Sequence, residues 1–205
     1  MDDLARRWNL TLGETIGRGS TSRVVRCRRA DGRAAVLKLP PEPERGLLEA
    51  RALRGWAHYA PEVWEHDTES GALLLEAIPE HEHQVRVDEI VALIDGLHRA
   101  PSDGFPPLTE RVEFIFAQPR WRAGRDLARA LAADPVEPVL LHGDLHPANV
   151  LNGGPARGLV AIDPRPCVGD PAFDLVHWVP LGVDGERVQA WCRAFGLEPP
   201  ANGSQ

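Results

Sequence analysis

The segment HGDLHPANVL, residues 142–151, sets an aspartate and an asparagine five positions apart, with an apolar pair following them. Asp144 is suited to accept the proton of an attacking hydroxyl group, and Asn149 offers a neutral oxygen to a magnesium ion, which takes oxygen ligands. Fourteen residues later the apolar run VAI ends in Asp163, a second candidate magnesium ligand that would bridge the metal to phosphates. These three side chains predict a phosphoryl-transfer site with Asp144 as its catalytic base.

Two histidines in the same segment allow a different interpretation. His142 and His146 have the i and i+4 spacing that places two metal ligands on one face of a helix. A glycine and a proline within the segment oppose a helix there. We therefore expect His142 to support the loop through backbone hydrogen bonds and His146 to lie near the transferred phosphate.

The chain has 23 basic residues, and only one of them, Lys38, is a lysine. It lies in the apolar run AAVLKLP, where a compact ammonium group is used instead of the planar fork of arginine. Glu49, eleven residues later on a predicted helix, is the expected partner that orients the ammonium group. Glu44 is the alternative, because helix phase is uncertain by a residue or two when it is read from sequence. The pair predicts a site for the α and β phosphates of a nucleotide.

The segment IGRGSTSRVV contains two closely spaced glycines, Gly17 and Gly19. The residues after them are typical of a strand, so we expect a hairpin tip and not the helix N-terminus of a dinucleotide or Walker-type loop. Glycine-rich hairpin tips of the pattern G-x-G-x-x-G-x-V cover nucleotide phosphates in kinase-like folds. Here Ser22 occupies the third glycine position. We predict that Gly17, Gly19, Ser20 and Ser22 contribute to nucleotide binding.

Hydrophobic patterning predicts a β-rich first part and a helix-rich second part. Three strands in a meander are expected over residues 10–39, then a helix from residue 44 that buries Leu47, Leu48, Ala52 and Leu53, and two more strands over 61–67 and 71–80. Later helices are expected over 87–100, 108–117, 120–134, 171–179 and 186–195, with short strands in 135–144 and 158–163. We predict an α+β fold of two lobes, a nucleotide-binding lobe over residues 1–77 and a catalytic and substrate lobe over 78–205.

Composition limits the partners. A formal net charge of −7 argues against broad nucleic-acid binding and mildly favours a cationic partner, although an ordinary acidic protein accounts for this charge equally well. The chain shows no apolar run of the roughly 18 residues that cross a bilayer and no signal-peptide core, so we expect a soluble, cytoplasmic protein without a membrane partner. The three cysteines form no C-x-x-C pair, and the two histidines in EHEHQ are expected in a solvated loop. Whether the protein is a monomer or a dimer is left open.

The chain resembles the aminoglycoside phosphotransferase family of kinase-like enzymes. The residues that carry the likeness are HGDLHPANVL, VLKLP, EARALRGW and IDPRPCVGDPAFDLVHWV, and the last of these resembles the branch that phosphorylates streptomycin and hydroxyurea. The resemblance implies a two-lobed protein-kinase-like fold with a β-rich N-lobe, one main N-lobe helix and a helical C-lobe. It also implies ATP and Mg²⁺ as cofactors, with Asp144 as base, Asn149 and Asp163 on the metal, and Lys38 with Glu49 on the nucleotide.

The same resemblance implies a hinge in LLLEAIPE, where backbone groups near Glu76 and Ile78 contact adenine. Asp170 and Asp174 match carboxylates that brace the active site. The segment HGDLHPAN differs from the H-R-D-x-x-x-x-N motif of protein kinases in having Gly143 in place of arginine, and the chain departs from the family in an expected C-lobe that is shorter than usual. From the predicted site and the resemblance together, we predict an O-phosphotransferase that acts on a small, cationic molecule such as an aminoglycoside. The alternative is an inactive, nucleotide-binding regulatory relative.

Overall fold

The computed structural model describes residues 1–16, 22–79, 81–82, 84–100, 103–134 and 136–197. These residues form two compact units. The first unit contains Met1–His81 and the later segment Asn152–Ile162, and the second contains Glu82–Leu151 and the chain from Asp163 onwards. None of the helices in the described ranges has the length and apolar character that a bilayer-spanning helix requires.

The secondary structure follows the α+β prediction. The strands are β1 (Leu10–Ile16), β2 (Arg23–Arg29), β3 (Ala34–Leu39), β4 (Val63–His66), β5 (Leu73–Glu76), β6 (Val139–Leu141), β7 (Val150–Asn152), β8 (Leu159–Ala161) and β9 (Cys167–Gly169). The α-helices are α1 (Asp2–Arg7), α2 (Pro43–Trp56), α3 (Val87–Leu97), α4 (Leu108–Phe116), α5 (Arg125–Ala133), α6 (Ala172–Leu175) and α7 (Glu186–Ala194). Short 3-10 helices cover Ala57–Tyr59, Pro119–Gly124, Pro147–Asn149 and Val176–Leu181.

A five-stranded antiparallel sheet forms the first unit, in the order β1-β2-β3-β5-β4. The predicted meander of β1, β2 and β3 is confirmed, and the two further predicted strands, β4 and β5, are also present. In the register of the sheet, Lys38 on β3 lies between Val24 on β2 and Leu73 on β5. The lysine therefore stands on a central strand that is held on both sides.

Helix α2 is confirmed, but its buried face differs from the prediction. Leu47, expected in the core, is 44% exposed, whereas Glu49, Ala50 and Trp56 are buried. Glu49, predicted as the partner of Lys38, lies on the buried face together with Ala52 and Leu53, and Leu47 lies outside that face. A glutamate tolerates burial when a cation neutralises it, and Lys38 supplies that cation.

The segment 152–162 belongs to the first unit although it follows the catalytic segment in sequence. Arg157 at its tip binds both carboxylate oxygens of Glu76, at 2.6 and 2.7 Å, and donates to the backbone carbonyls of His58 and Ala60. These bonds attach residues 152–162 to the first unit. The sequence-based division into residues 1–77 and 78–205 had placed this segment in the second lobe.

The second unit is mainly helical. Its core packs α4, α6 and α7 around β6 and β9, which pair antiparallel. The helix predicted over 120–134 begins only at Arg125, because residues 119–124 form a 3-10 helix in which Gly124 lies against the backbone of Ala194. The helix predicted over 171–179 is also shorter, since a 3-10 turn that contains Pro180 follows α6.

Candidate active site

A buried ion pair occupies the first unit. The ammonium nitrogen Nζ of Lys38 donates to Oε1 of Glu49 at 2.6 Å, and the two residues are only 4% and 2% exposed. Glu44, the alternative partner, is exposed at the start of α2. The partner expected first, Glu49, is therefore the one in contact. A charge buried to this degree is tolerated because its partner is fixed opposite it.

Most of the predicted glycine-rich loop lies outside the described residues, including Gly17, Gly19 and Ser20. The strands on either side are described, and Ile16 on β1 pairs with Val24 on β2. The intervening residues therefore connect two antiparallel strands, as expected for a hairpin. Ser22 is described, and within the described part of the chain its buried hydroxyl has no hydrogen-bond partner.

The predicted hinge follows β5. The backbone N–H of Glu76 donates to the carbonyl of Glu62 at 2.9 Å, and the Glu76 side chain binds Arg157. Neither of these groups is available to an adenine ring. Ile78, two residues further, has a buried side chain.

The segment from His142 to Asp144 forms a loop whose backbone is fixed by one buried carboxylate. Asp174 on α6 accepts the backbone N–H of His142 at 2.7 Å on Oδ2 and that of Gly143 at 2.9 Å on Oδ1. His98 approaches the same carboxylate at 3.3 Å. The backbone carbonyl of His142 in turn accepts the N–H of Arg165 at 2.8 Å. His142 supports the loop through its backbone, as predicted.

Asp144 follows this fixed backbone, and its side chain is 35% exposed. Arg111 on α4 donates from Nη2 to Oδ1 of Asp144 at 3.1 Å and from Nε to the carbonyl of Gly143 at 3.0 Å. The candidate base is therefore oriented by its neighbours and still accessible to a molecule from solvent.

Asn149 lies in the 3-10 turn that closes the loop, and it is buried. Its Nδ2 donates to the backbone carbonyl of Asp144 at 2.9 Å, and its own N–H donates to the carbonyl of His146 at 2.8 Å. Because the amide nitrogen is used in this way, the other amide atom, Oδ1, is the one that can meet a cation. Two hydrogen bonds from Asn149 thus hold the backbone of Asp144 and His146 close to it.

Asp163 has a backbone φ of +53°, in the left-handed region that residues other than glycine seldom adopt. Its carboxylate is 42% exposed and lies 3.9 Å from the guanidinium group of Arg165. Strained backbone of this kind is found at sites where the position of a side chain matters more than local stability. The carboxylate of Asp163 is therefore partly exposed to solvent, beside the guanidinium group of Arg165.

Burial and nearby charges shift the pKa values of two buried groups near the loop, Asp174 and Cys167. Burial by itself raises the pKa of Asp174, but the hydrogen bond and charge of His98, the charge of His142 and the Gly143 N–H outweigh it, so the net pKa is lowered. Burial raises the pKa of the Cys167 thiol, and the negative charge of Asp174 raises it further. Asp174 therefore remains ionised, and Cys167 remains a neutral thiol without nucleophilic character.

Asp170 forms a second brace, between α6 and α7. It accepts the indole N–H of Trp191 at 2.6 Å, the Nε of Arg187 at 2.6 Å and the N–H of Ala172 at 3.0 Å. The sequence-based expectation that Asp170 and Asp174 are structural carboxylates is confirmed by these contacts.

The two histidine pairs of the sequence analysis can be compared with the structure: His142 with His146, and the pair in EHEHQ, His81 with His83, which was expected in a solvated loop. Residues 142–146 form no helix, so His142 and His146 lack the shared helical face that a two-histidine site needs. His83 lies outside the described residues. Among the residues that the structure does describe, no group of three or more His, Cys, Asp or Glu side chains is arranged to hold a metal ion.

Sequence reasoning missed Arg111, His98 and Arg187. Each contacts a carboxylate that was found from its motif, but from a helix or helix end 17 to 76 positions away. A single arginine or histidine on an amphipathic helix carries no signal that separates it from a solvated side chain. Only the packed structure identifies these three residues.

Comparison with known proteins connects this geometry to a family. A family model described as "Aminoglycoside/hydroxyurea antibiotic resistance kinase" matches residues 7–194. A hydroxyurea phosphotransferase from Kitasatospora aureofaciens is 33% identical over 92% of this chain and 68% of its own length. A streptomycin 6-kinase from Streptomyces griseus is 33% identical over 90% of this chain and 66% of its own length. The chain thus spans about two thirds of the length of these relatives.

Solved structures show the same architecture. A macrolide 2'-phosphotransferase from Brachybacterium faecium superposes with a TM-score of 0.63 at 25% identity, over 97% of this chain and 83% of that protein. A choline kinase from Streptococcus pneumoniae superposes with a TM-score of 0.61 at 14% identity, over 95% of this chain and 78% of that protein. The kinase-like α+β fold predicted from the sequence is confirmed.

Proposed function

The chain belongs to the aminoglycoside/hydroxyurea antibiotic resistance kinase family, and we propose that it transfers the γ-phosphate of ATP to a hydroxyl group of a small, cationic molecule. The observation that carries the proposal is the loop from His142 to Asn149. It holds a partly exposed carboxylate on a backbone fixed by Asp174, and it orients the amide of Asn149 through the carbonyl of Asp144. Phosphoryl transfer depends mainly on this kind of positioning.

Asp144 is the proposed catalytic base. Its carboxylate accepts the proton of the acceptor hydroxyl while the hydroxyl oxygen forms a bond to the γ-phosphorus. The bond from that phosphorus to the β–γ bridging oxygen breaks, and ADP leaves with the bond's electron pair. The exposed part of the carboxylate is sufficient for the hydroxyl to approach it.

Asn149 and Asp163 are the proposed ligands of Mg²⁺. The donor set fits this ion, because it consists of the amide oxygen of Asn149, whose Nδ2 is already bonded to the loop, and a partly exposed carboxylate. Two protein ligands are enough, since Mg²⁺ usually keeps waters and phosphate oxygens as its remaining ligands. When bound, the ion neutralises charge on the phosphates as the transfer proceeds.

Lys38 is the proposed contact to the α and β phosphates, with Glu49 holding its ammonium group in place. Burial and the hydrogen bond to Glu49 restrict the direction of the ammonium group. Gly17, Gly19 and Ser20 are proposed to cover the phosphates with backbone amides. Ser22 is proposed to donate its hydroxyl, which is buried and has no hydrogen-bond partner among the residues that the structure describes.

The adenine contact is proposed at the chain after β5. Since the N–H of Glu76 is already bonded to Glu62, the backbone carbonyl of Glu76 and the N–H of Ile78 are the groups we assign to the base. His146 is proposed to face the γ-phosphate from the catalytic loop, where it follows Asp144 by two residues.

The substrate class rests on two supports. The relatives named above act on streptomycin or hydroxyurea according to their names, and the net charge of −7 attracts cations. We propose an aminoglycoside or a related antibiotic as acceptor, and we rank a small neutral hydroxyl compound of the hydroxyurea type second.

The test is an ADP-release assay with ATP and Mg²⁺ across streptomycin, other aminoglycosides, hydroxyurea, tuberactinomycins and amino sugars. We expect acceptor-dependent ADP release with at least one of them. Binding of ATP without turnover on the whole panel would favour the alternative, a nucleotide-binding regulatory protein.

Asp144→Ala tests the assignment of the base. With the productive acceptor, kcat should fall by roughly 10²-fold or more, because proton transfer by a positioned side chain contributes about 10²–10⁴-fold. Affinity for ATP, measured by calorimetry, should stay within a few-fold of the wild type. Asp126→Asn, a fully exposed aspartate on α5, is the control and should turn over normally. Near-normal transfer by Asp144→Ala would overturn the assignment.

A further inference from the structure

Arg111 on α4 makes two hydrogen bonds to the catalytic loop, one to the carbonyl of Gly143 and one to Oδ1 of Asp144. We propose that Arg111 is a positioning residue for the catalytic carboxylate. It holds Oδ1, so that Oδ2 is presented to the acceptor hydroxyl. The inference rests on the proposed function, because it assigns a role in the reaction of Asp144.

The chemistry of the guanidinium group suits this role. Its N–H donors lie in one plane in a fixed fork, and Arg111 uses two of them, Nε and Nη2, on acceptors from consecutive residues. One acceptor belongs to the backbone and the other to the side chain. Together the two bonds fix the rotation of the Asp144 carboxylate relative to the loop. A lysine carries its three donors on one nitrogen at the end of a flexible stem, so it would not hold the two acceptors in the fixed plane of a guanidinium fork.

The helix that carries Arg111 is well anchored. Leu108, Val112 and Phe116 on α4 are at most 1% exposed within the core of the second unit. The Arg111 side chain itself is only 14% exposed. The guanidinium group is therefore attached to a rigid element and shielded from most of the solvent, as precise placement of a functional group requires.

The loop needs support from outside its own sequence. Gly143 has a φ of +75°, and a Cβ atom there would collide with the carbonyl oxygen of Arg165. The position that is arginine in the kinase motif therefore has no room for a side chain in this chain. Asp174 holds the N–H of Gly143, and Arg111 holds its carbonyl. Arg111, which lies on α4 and 33 positions before Asp144, thus places a guanidinium group against the loop.

A purely structural ion pair is the competing explanation. Partly exposed ion pairs stabilise proteins only weakly, so that role predicts a small loss of stability and no selective loss of kcat. A positioning role predicts the opposite, a large loss of kcat at nearly unchanged stability and ATP affinity. The two explanations are separated by kinetics.

The experiment uses the full chain with the acceptor that the wild type phosphorylates. We expect Arg111→Ala to lower kcat by about 10²-fold and to change KM for ATP by less than about 3-fold, as for an interaction that matters mainly in the transition state. Millimolar guanidine, well below denaturing concentrations, should restore part of kcat. Arg129→Ala is the matched control. Arg129 lies on α5 and forms an exposed ion pair with Glu113, which shares helix α4 with Arg111, so this variant should show neither effect.

Each outcome decides the proposal. A wild-type kcat in Arg111→Ala overturns it, and so does a loss that follows the folded fraction and is not rescued by guanidine. If Arg111→Ala does not fold, Arg111→Lys decides, because full kcat in that variant overturns the proposal and reduced kcat at normal KM for ATP supports it. A wild type without turnover on any acceptor overturns the proposed function, and this role with it.

Discussion

At the scale of single residues, the use of one lysine in a chain of arginines has a structural explanation. Lys38 lies on the central strand β3, and Glu49 on α2 fixes its ammonium group. The guanidinium group of an arginine is larger and planar, so it would place its donors differently from the compact ammonium group of Lys38. The residue type follows from the contact.

Glu49→Gln should therefore destabilise the protein. It removes the charge that neutralises Lys38 in a buried environment, and loss of one partner from such a pair costs about 3–5 kcal/mol. The free energy of unfolding from urea titration measures the effect. Glu44→Gln, on the exposed start of the same helix, should change it by less than about 0.5 kcal/mol. Equal stability of the two variants would show that the ion pair is not needed for folding.

The residues found from sequence share one property, which is that each belongs to a local motif. Asp144, Asn149 and Asp163 have a spacing fixed by one loop and one strand end, so a short stretch of chain carries the signal. Arg111 and His98 have no such spacing, because their partners are brought to them by tertiary packing. Pattern reasoning recovers the first group and misses the second for this physical reason.

At the scale of elements, the hairpin over residues 152–162 is the least expected feature. Gly153 donates to the carbonyl of Gly158, and Gly158 donates to that of Gly154, so the tip is a tight turn. Arg157 then joins the turn to β5 and to the chain after α2. Sequence gave no indication that this hairpin belongs to the first unit, since the partners of Arg157 lie 81 to 99 positions earlier.

Arg157→Gln should release the hairpin. The variant loses the charge-assisted bonds to Glu76 and leaves the partly buried carbonyl of Ala60 without this donor, which costs about 1–3 kcal/mol. Amide hydrogen exchange at Gly153 and Gly158 should become faster, while exchange on β1 and β2 should stay unchanged. Arg33→Gln, an arginine of the same unit whose ion pair with Asp31 is exposed, is the control. Unchanged exchange in Arg157→Gln would show that the turn is stable by itself.

Strands and helices whose apolar residues recur at a regular spacing were predicted well, whereas elements without such a spacing were not. The five strands of the first sheet and helices α2 to α5 and α7 are found where their patterns predicted them, although α5 begins later than expected and the buried face of α2 differs. Helix α1 has only six residues, and β9 lies in a segment rich in proline and glycine. Strand β9 exists because it pairs with β6, a contact that no local pattern encodes.

At the scale of the whole molecule, resistance to acid should depend on the second unit. Asp174 lies there, buried, and its hydrogen bonds and the nearby histidines lower its pKa below the ordinary value in spite of burial. The native state therefore holds the ionised carboxylate more tightly than the unfolded chain does. The stabilisation is complete above the unfolded pKa of about 3.9 and is lost as the pH falls through the native pKa.

Asp174→Asn tests this expectation. At pH 7 the variant should be less stable by about 1–3 kcal/mol, because an amide cannot accept both backbone N–H groups of the catalytic loop. Between pH 5 and pH 3 its free energy of unfolding should fall less steeply than that of the wild type, since the proton-linked carboxylate is gone. Urea titrations at several pH values measure both effects, and Asp126→Asn should keep the wild-type slope. A wild-type slope in Asp174→Asn would mean that the acid sensitivity arises from other carboxylates.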